Sequence, residues 1–266
     1  MTFGRYFGKR EIVELMVNHS VAKQLYSGEK RDIVKKYGHL IIKLFGYPFG
    51  VYARQRARVI MKYLNPKKGE RILDAGCGIG YYSFELVTKF CCNVNGVDID
   101  LEDIELAKQI IKKTHVSNVE FSVCDISELK FDDETFDKVI FSEVLEHIAD
   151  DINVLNELHR VLKPHGHLIL STPHVDIMEE YTEQKPKIYK KPLNIKGGHV
   201  RNGYSFESLS KMLNDTGFDV VEYCFVNKKF AKNVGFPLFI LLYPISMLDN
   251  LLKRKGEGII VKAKKR

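Results

Sequence analysis

Three acidic residues and a run of glycines carry the first chemistry to be read in this sequence. The stretch Arg71-Ile-Leu-Asp-Ala-Gly-Cys-Gly-Ile-Gly80 opens on an apolar pair, passes through Asp74, and sets glycines at alternate positions, Gly76, Gly78 and Gly80. Glycines so placed let the backbone turn sharply and let a ligand approach with no Cβ in the way. A carboxylate at Asp74 repels a pyrophosphate but suits a ligand carrying a cationic ammonium. The dinucleotide fingerprint G-x-G-x-x-G needs a glycine where this chain has Tyr81, which ranks a nicotinamide oxidoreductase last. Asp98 stands 18 residues beyond Gly80, at the tip of the next strand, where a carboxylate can accept both ribose hydroxyls of an adenosyl group. Asp100 reads instead as the cap of the helix that follows. A second group, Glu143, Glu146 and His147, is spaced i, i+3 and i+4, so that on a helix all three would point the same way.

These residues need strands to hold them and helices to bury the strands. Ile72 and Leu73 read as a buried strand, and Tyr82, Leu86 and Val87 share a stripe of the helix Tyr81 to Lys89. Strand, glycine turn and helix, in that order, is how an α/β sheet presents a nucleotide site at a strand's carboxyl edge. Further strands are expected at 92–98, 119–124, 136–141, 167–172, 218–226 and 258–263. The helix Leu101 to Lys113 should bury Leu101, Ile104, Ala107 and Ile111; the helix Asp150 to Leu162 should bury Ile152, Leu155, Leu158 and Leu162. Lys163-Pro-His-Gly166 stops the latter. Ser205 caps a helix through Leu213, which Gly217 ends. Residues 1–66 read as helical. Ile12, Leu15 and Met16 share one face, Ile33, Tyr37, Leu40, Ile41 and Leu44 another, and a last helix runs from Val51 to Leu64.

With these features together, the chain resembles the class I S-adenosylmethionine-dependent methyltransferases, whose first motif runs apolar-apolar-D-x-G-x-G-x-G. The order FDKVIFSEVLEHI…LHRVLKPHGHLILSTPH is similar to the small-molecule branch of that family, in particular the ubiquinone-pathway O-methyltransferases. The resemblance covers about residues 67–226. It implies a doubly wound, seven-stranded α/β sheet of Rossmann-like type over 67–266, with the last strand returning antiparallel between strands five and six. An N-terminal helical addition over 1–66 and an apolar insertion over 227–256 complete the organisation. In the family such helices lie over the open edge of the sheet and help close the acceptor pocket; packing on the outer sheet face is the alternative.

The resemblance also implies S-adenosylmethionine as the methyl donor. Asp74, Gly76, Cys77, Gly78, Gly80, Asp98 and Ile99 would hold it, with Asp125 at the adenine amino group, the Ile126 amide at a ring nitrogen, and Ser142 completing the pocket. Glu143, Glu146 and His147 match the residues that bind a divalent cation (Mg or Zn) beside a catechol-like acceptor in the ubiquinone-pathway enzymes. In relatives without a metal the same L-E-H triplet supports the pocket floor, and both readings stand. His147 and His199 are the candidate catalytic residues, with His174 a further candidate base and Arg201 a further polar group in the irregular stretch 173–202. Base-modifying enzymes usually carry N-P-P-Y or D-P-P-Y after strand four, whereas this chain has Ser142-Glu-Val-Leu145, which argues against nucleic acid as the acceptor. The implied acceptor is an oxygen, less readily a nitrogen or carbon, of a small apolar or lipid-linked molecule. An RNA methyltransferase using the basic N-terminal helices and a non-catalytic binding module of the same fold are the alternatives.

Bulk properties fit one α/β domain with additions. No apolar run reaches the ~20 residues of a spanning helix, and Met1 to Ser20 is broken by Arg5, Lys9, Arg10, Glu11 and Glu14, unlike a secretory leader. Five cysteines with no C-x-x-C pair read as reduced, cytoplasmic usage without a zinc framework. Residues 1–70 hold fifteen Lys/Arg against five Asp/Glu, so that, within a chain of net charge +7, the remainder is net −3. The basic ends read either as solvated surface or as attraction to an anionic surface. The apolar stretch 235–252, followed by Lys253-Arg-Lys255, reads either as peripheral membrane contact through 235–255 or as a helix packed over the acceptor site.

Overall fold

The computed structural model describes residues 51–175, 198–226 and 256–266. The helices expected within 1–50 and the apolar stretch 235–255 lie outside the described residues. Helix α1 (Val51–Leu64) leads into a regular alternation: β1 (Arg71–Ala75), α2 (Tyr81–Phe90), β2 (Asn93–Asp98), α3 (Leu101–Thr114), β3 (Val119–Val123) and β4 (Phe136–Ser142). Then come α4 (Asp151–Val161), β5 (Leu162–Pro173), α5 (Phe206–Asp215), β6 (Phe218–Val226) and β7 (Gly258–Lys265). The seven strands form one sheet in the order β3-β2-β1-β4-β5-β7-β6. β7 is antiparallel to both its neighbours, and every other pairing is parallel. The strand order reverses between β1 and β4, and the carboxyl edge at such a switch point is where open α/β sheets bind ligands.

The central strands are apolar without interruption because both faces of the sheet are covered. Alternate residues go to opposite faces. Leu73, Val139, Leu168 and Val261 pack with Val154, Leu155, Leu158, Leu209 and Leu213 of α4 and α5. Their neighbours Ile72, Ile140, Ile169 and Ile260 pack with Ile60 and Leu64 of α1 and Leu86 of α2. A smaller cluster under α3 joins Ile104, Ala107 and Ile110 to Phe84 and Phe121. Helix α1 therefore covers a sheet face.

Three expectations are corrected. In α3 the buried stripe is Ile104, Ala107, Ile110 and Thr114, while Leu101 is 58% exposed. Leu101 opens the helix beside the Asp100 cap, at the sheet's carboxyl edge rather than over its face. In α4, Ile152 is 41% exposed, and Val154, Leu155, Leu158 and Val161 do the burying. Finally, β5 starts at Leu162. The stretch Lys163-Pro-His-Gly166 does end the helix, but the chain then runs straight into the sheet: Leu162 pairs with Phe136 and His167 with Lys138, so the intervening residues bulge out of the ladder. A proline is tolerated there because the bulge asks no amide of it.

Ile260 is fully buried at the middle of the α1 face. Ile260→Ala should lower the stability to urea by about 2–5 kcal/mol, the usual cost of a truncation in a packed core. Equilibrium melts that shift the midpoint without changing the slope would show it.

Candidate functional site

The geometry starts where β1 ends. Ala75 pairs in register with Val97 of β2. The chain then turns, because the next two amides, of Gly76 and Cys77, both donate to the Val97 carbonyl at 2.8 and 2.9 Å. The Gly78 amide donates to Asp98 Oδ2 at 2.7 Å. The Gly80 amide donates to the Cys77 carbonyl at 2.9 Å, and the Gly80 carbonyl accepts the first helical bond of α2, from the Phe84 amide. Gly76 (φ +71°) and Gly80 (φ +82°) sit in the left-handed region, and a Cβ would overlap Val144 at the first and Phe121 at the second. Only glycine fits either position.

The three acids have separate surroundings. Asp98 Oδ1 accepts the Asp100 amide at 2.9 Å, so its carboxylate uses two of about four acceptor positions and keeps the rest for hydroxyls. Asp125, just beyond β3, accepts the Ser127 hydroxyl and amide on Oδ1 alone, at 2.7 and 2.9 Å, and these bonds hold its pKa below the ordinary carboxylate value. Asp74 is buried under α2 and accepts the Ser83 hydroxyl at 2.6 Å and the Ser83 amide at 3.1 Å. Burial pushes its pKa up to about 6; the two Ser83 bonds pull it down and Asp98 pushes it up. The Cys77 thiol is also raised, by burial and then by Asp74 and Asp98. Cys77 is thus a packed thiol rather than a nucleophile. Between the acids lie exposed apolar side chains: Ile99 is 72% exposed and Val123, paired in register with Asp98, is 47% exposed.

On the far side of the switch point, β4 ends at Ser142, whose hydroxyl meets that of Ser171 at 2.9 Å. Glu143 to His147 is not the helix on which the three side chains would point the same way. Glu143 takes a left-handed φ of 58°, and only Leu145–His147 closes a single 3-10 turn. The expected trio therefore does not converge. Glu143 turns to Arg56 of α1, 2.7 Å away, and accepts from the Ser171 hydroxyl at 3.2 Å. Glu146 points inward, where Thr172 donates to it at 3.2 Å; burial, and then Glu143, push its pKa up to about 7. His147 meets His199 edge-on at 4.6 Å between ring centres, and its Nδ1 is buried with no hydrogen-bond partner among the described residues. Glu146, His147 and His199 each offer a ligand atom within 4.8 Å of the others.

His199 reaches this place through Arg201. Its guanidinium donates to the carbonyls of Ile148 and Ala149 at 2.8 and 3.0 Å and to the Tyr204 hydroxyl at 2.5 Å, and pairs with Asp151. The Val200 amide adds a bond of 2.9 Å to the Glu146 carbonyl. His174, by contrast, is engaged with the Gly256 carbonyl at 2.9 Å and meets the Phe225 ring at a 60° tilt.

The methyltransferase-domain family profile matches residues 66–217, more than half of the chain. The chain belongs to the class I S-adenosylmethionine-dependent methyltransferases. Among curated relatives of this methyltransferase, an O-methyltransferase of Penicillium expansum is 29% identical over 60% of the chain and 55% of its own length. A phosphoethanolamine N-methyltransferase of Caenorhabditis elegans is 24% identical over 71% of the chain and 43% of its own length. A sterol 24-C-methyltransferase of Saccharomyces cerevisiae is 29% identical over 58% and 40%. The chain thus spans about half the length of these relatives. The solved structure of a methyltransferase from Aquifex aeolicus shares the fold, with a TM-score of 0.53 at 19% identity over 79% of this chain and 89% of that one.

The family's donor fits the residues present. Asp98 has acceptor capacity for ribose hydroxyls, Ile99 and Val123 offer apolar faces to a flat base, Asp125 keeps one oxygen open for an amino group, and the glycine loop leaves its backbone uncovered. Arg56, Ser83, Ser171, Thr172 and Val123 belong to the site's frame without a sequence motif to mark them. Only the strand ends on which three of them lie could have suggested their placement.

Two outcomes follow for this chain. Asp98→Asn should weaken S-adenosylhomocysteine in calorimetric titration by about tenfold or more, since hydrogen bonds to a charged group are worth about 1.5–3 kcal/mol. Asp74 has a folded pKa above its unfolded one, so its stabilising contribution is complete below pH ~4 and lost as pH rises through about 6. Asp74→Asn lacks that loss and keeps an acceptor for Ser83. Its stability relative to the unsubstituted chain should rise between pH ~4 and ~6, by on the order of 3 kcal/mol, and level off above. Thermal melts across that range test it, and a difference independent of pH would overturn it.

Proposed function

We propose that the chain transfers the methyl group of S-adenosylmethionine to an oxygen of a small, apolar or lipid-linked acceptor. The observation that carries this reading is the convergence of Glu146, His147 and His199 beyond β4, on the same edge of the sheet as the glycine loop. Val144 links the two, since it lies directly against Gly76. S-adenosylmethionine supplies an already activated methyl group. The protein's task is then to orient the acceptor and exclude water from it. Glu146 and His147 are polar groups that a hydroxyl can bond and to which it can give up its proton, and the buried Nδ1 of His147 has no hydrogen-bond partner among the described residues. Arg201 holds His199 over the same spot. The sterol methyltransferase among the relatives and the apolar stretch 235–252 of the sequence support a greasy acceptor.

A second reading has one specific observation in its favour. The ligand set implied by the resemblance does not fit a metal, because Glu143 is committed to Arg56. The three residues that do converge make a carboxylate–imidazole–imidazole set, which suits a zinc-like cation.

The test is transfer of labelled methyl from S-adenosylmethionine into lipid extracts and simple phenols. His147→Ala and His199→Ala should each lower turnover, His147→Ala by about 10²–10⁴-fold if it takes the proton, with S-adenosylhomocysteine affinity unchanged. Turnover lost to a chelator and restored by zinc or magnesium would favour the second reading. Donor binding without methyl transfer to any acceptor would leave a binding module and sink the proposal.

A further inference from the structure

At the other end of the sheet, where β1 and β4 begin, the chain forms a half-open cavity of about 330 Å3. It is remote from the donor loop. β4 alone carries the chain from Lys138, which lines the cavity, to Ser142 at the active edge, roughly 13 Å at the usual strand rise. Four lysines line it, Lys67, Lys138, Lys163 and Lys262, with His165 and His167, against two acids, Glu70 and Asp137.

Each acid is matched to one lysine. Lys163 pairs with Asp137 at 2.6 Å. Lys138, only 8% exposed, pairs with Glu70 at 2.8 Å and donates to the Asn65 carbonyl at 2.9 Å. An ammonium has three N–H groups, so one of Lys138 remains. Lys67 and Lys262 form no ion pair with any described residue. The lining thus carries two positive charges beyond its acids before either histidine is protonated. Strand register sets His167 directly across from Lys138 on one side and Lys264 on the other. Burial and then Lys262, Lys138 and Lys264 hold its imidazole below the ordinary pKa, with Glu70 acting weakly the other way.

We propose that this cavity is a binding site for a phosphomonoester group, held by Lys67, Lys262 and the remaining N–H of Lys138. A dianion matches the two uncompensated charges, and lysine binds phosphate as a point charge without the planar fork that favours carboxylates. The volume is that of roughly ten waters and lies at the lower end of the ~300–1,000 Å3 range of ligand pockets. It takes a phosphate with a small organic body, or the headgroup of a phosphatidic acid. A bound dianion would offset the lysines around His167, so binding should draw a proton onto it.

The experiment is calorimetric titration of the full chain with inorganic phosphate and with glycerol 3-phosphate, in two buffers of different ionisation enthalpy. Phosphatidic acid in phosphatidylcholine vesicles forms a parallel flotation arm. Lys67→Gln/Lys262→Gln is the paired variant; it leaves the buried Lys138–Glu70 pair intact. Saturable binding that weakens tenfold or more in the variant, with proton uptake near neutral pH and unchanged S-adenosylhomocysteine affinity, is expected. Binding confined to the soluble probes assigns a free metabolite, and binding confined to the vesicles assigns a lipid headgroup; either supports the site. No saturable binding in any arm, or equal binding by the variant, overturns it.

Discussion

The candidate donor site depends on one tie between adjacent strands. The carbonyl of Val97 and the carboxylate of Asp98, at the tip of β2, together accept three successive amides from the loop that leaves β1. The tie makes the glycine at 76 obligatory, because it presses the loop against Val144. It also fixes where α2 starts, since Gly80 must turn back to begin the helix against Phe121. Asp98 serves the loop and the next turn at once by accepting the Asp100 amide as well. A side chain held by two backbone amides does not have to be ordered again when a ligand arrives, which is the physical content of a preorganised site.

The tie has an electrostatic cost. It brings Asp98 close enough to Asp74 for each to oppose the other's charge, while Asp74 is also cut off from water. A fold selected for stability alone would place a neutral residue there; an acid in that position is the kind of local conflict that marks function. The opposite end of the sheet has the reverse polarity, with unmatched lysines around a cavity. Strand dipoles largely cancel, so the asymmetry comes from side chains alone. A cationic ligand is attracted to one edge and an anionic one to the other, which keeps the two ends of one small domain from competing for the same molecule.

Much of this frame was legible in the sequence, for a local reason. Strands covered on both faces read as uninterrupted apolar runs, and glycine and acid spacing at their ends is set by neighbouring residues. The Asp100 and Ser205 caps and the seven strands follow from such signals, while the antiparallel return of β7 came from the family resemblance. What was not legible was made by distant partners. The left-handed turn at Glu143 has no glycine to announce it, and its partner Arg56 lies on a helix before the first strand. His199 joins His147 where Arg201 clasps carbonyls and an acid beyond the 3-10 turn and the Val200 amide bonds the Glu146 carbonyl. The basic cavity draws on four separate segments, each of which alone reads as ordinary charged surface.

That division also explains why family membership fixes the donor more firmly than the acceptor. The residues that fit the donor lie at strand tips whose positions the sheet itself dictates, so any chain with this topology and these acids rebuilds them. The residues we propose for the acceptor lie on a left-handed turn, a 3-10 turn and a returning segment, tied together by an arginine, its acid and one backbone bond. Since the methyl group arrives already activated, the acceptor side needs orientation more than any fixed set of catalytic groups, and relatives that methylate oxygen, nitrogen or carbon can share one donor frame. In this chain the frame delivers two imidazoles and a carboxyl to a single spot next to that donor loop. Histidines and a carboxyl that burial pushes up to about 7 are groups that can take or hold a proton, the one service an already activated methyl group still leaves to the acceptor side.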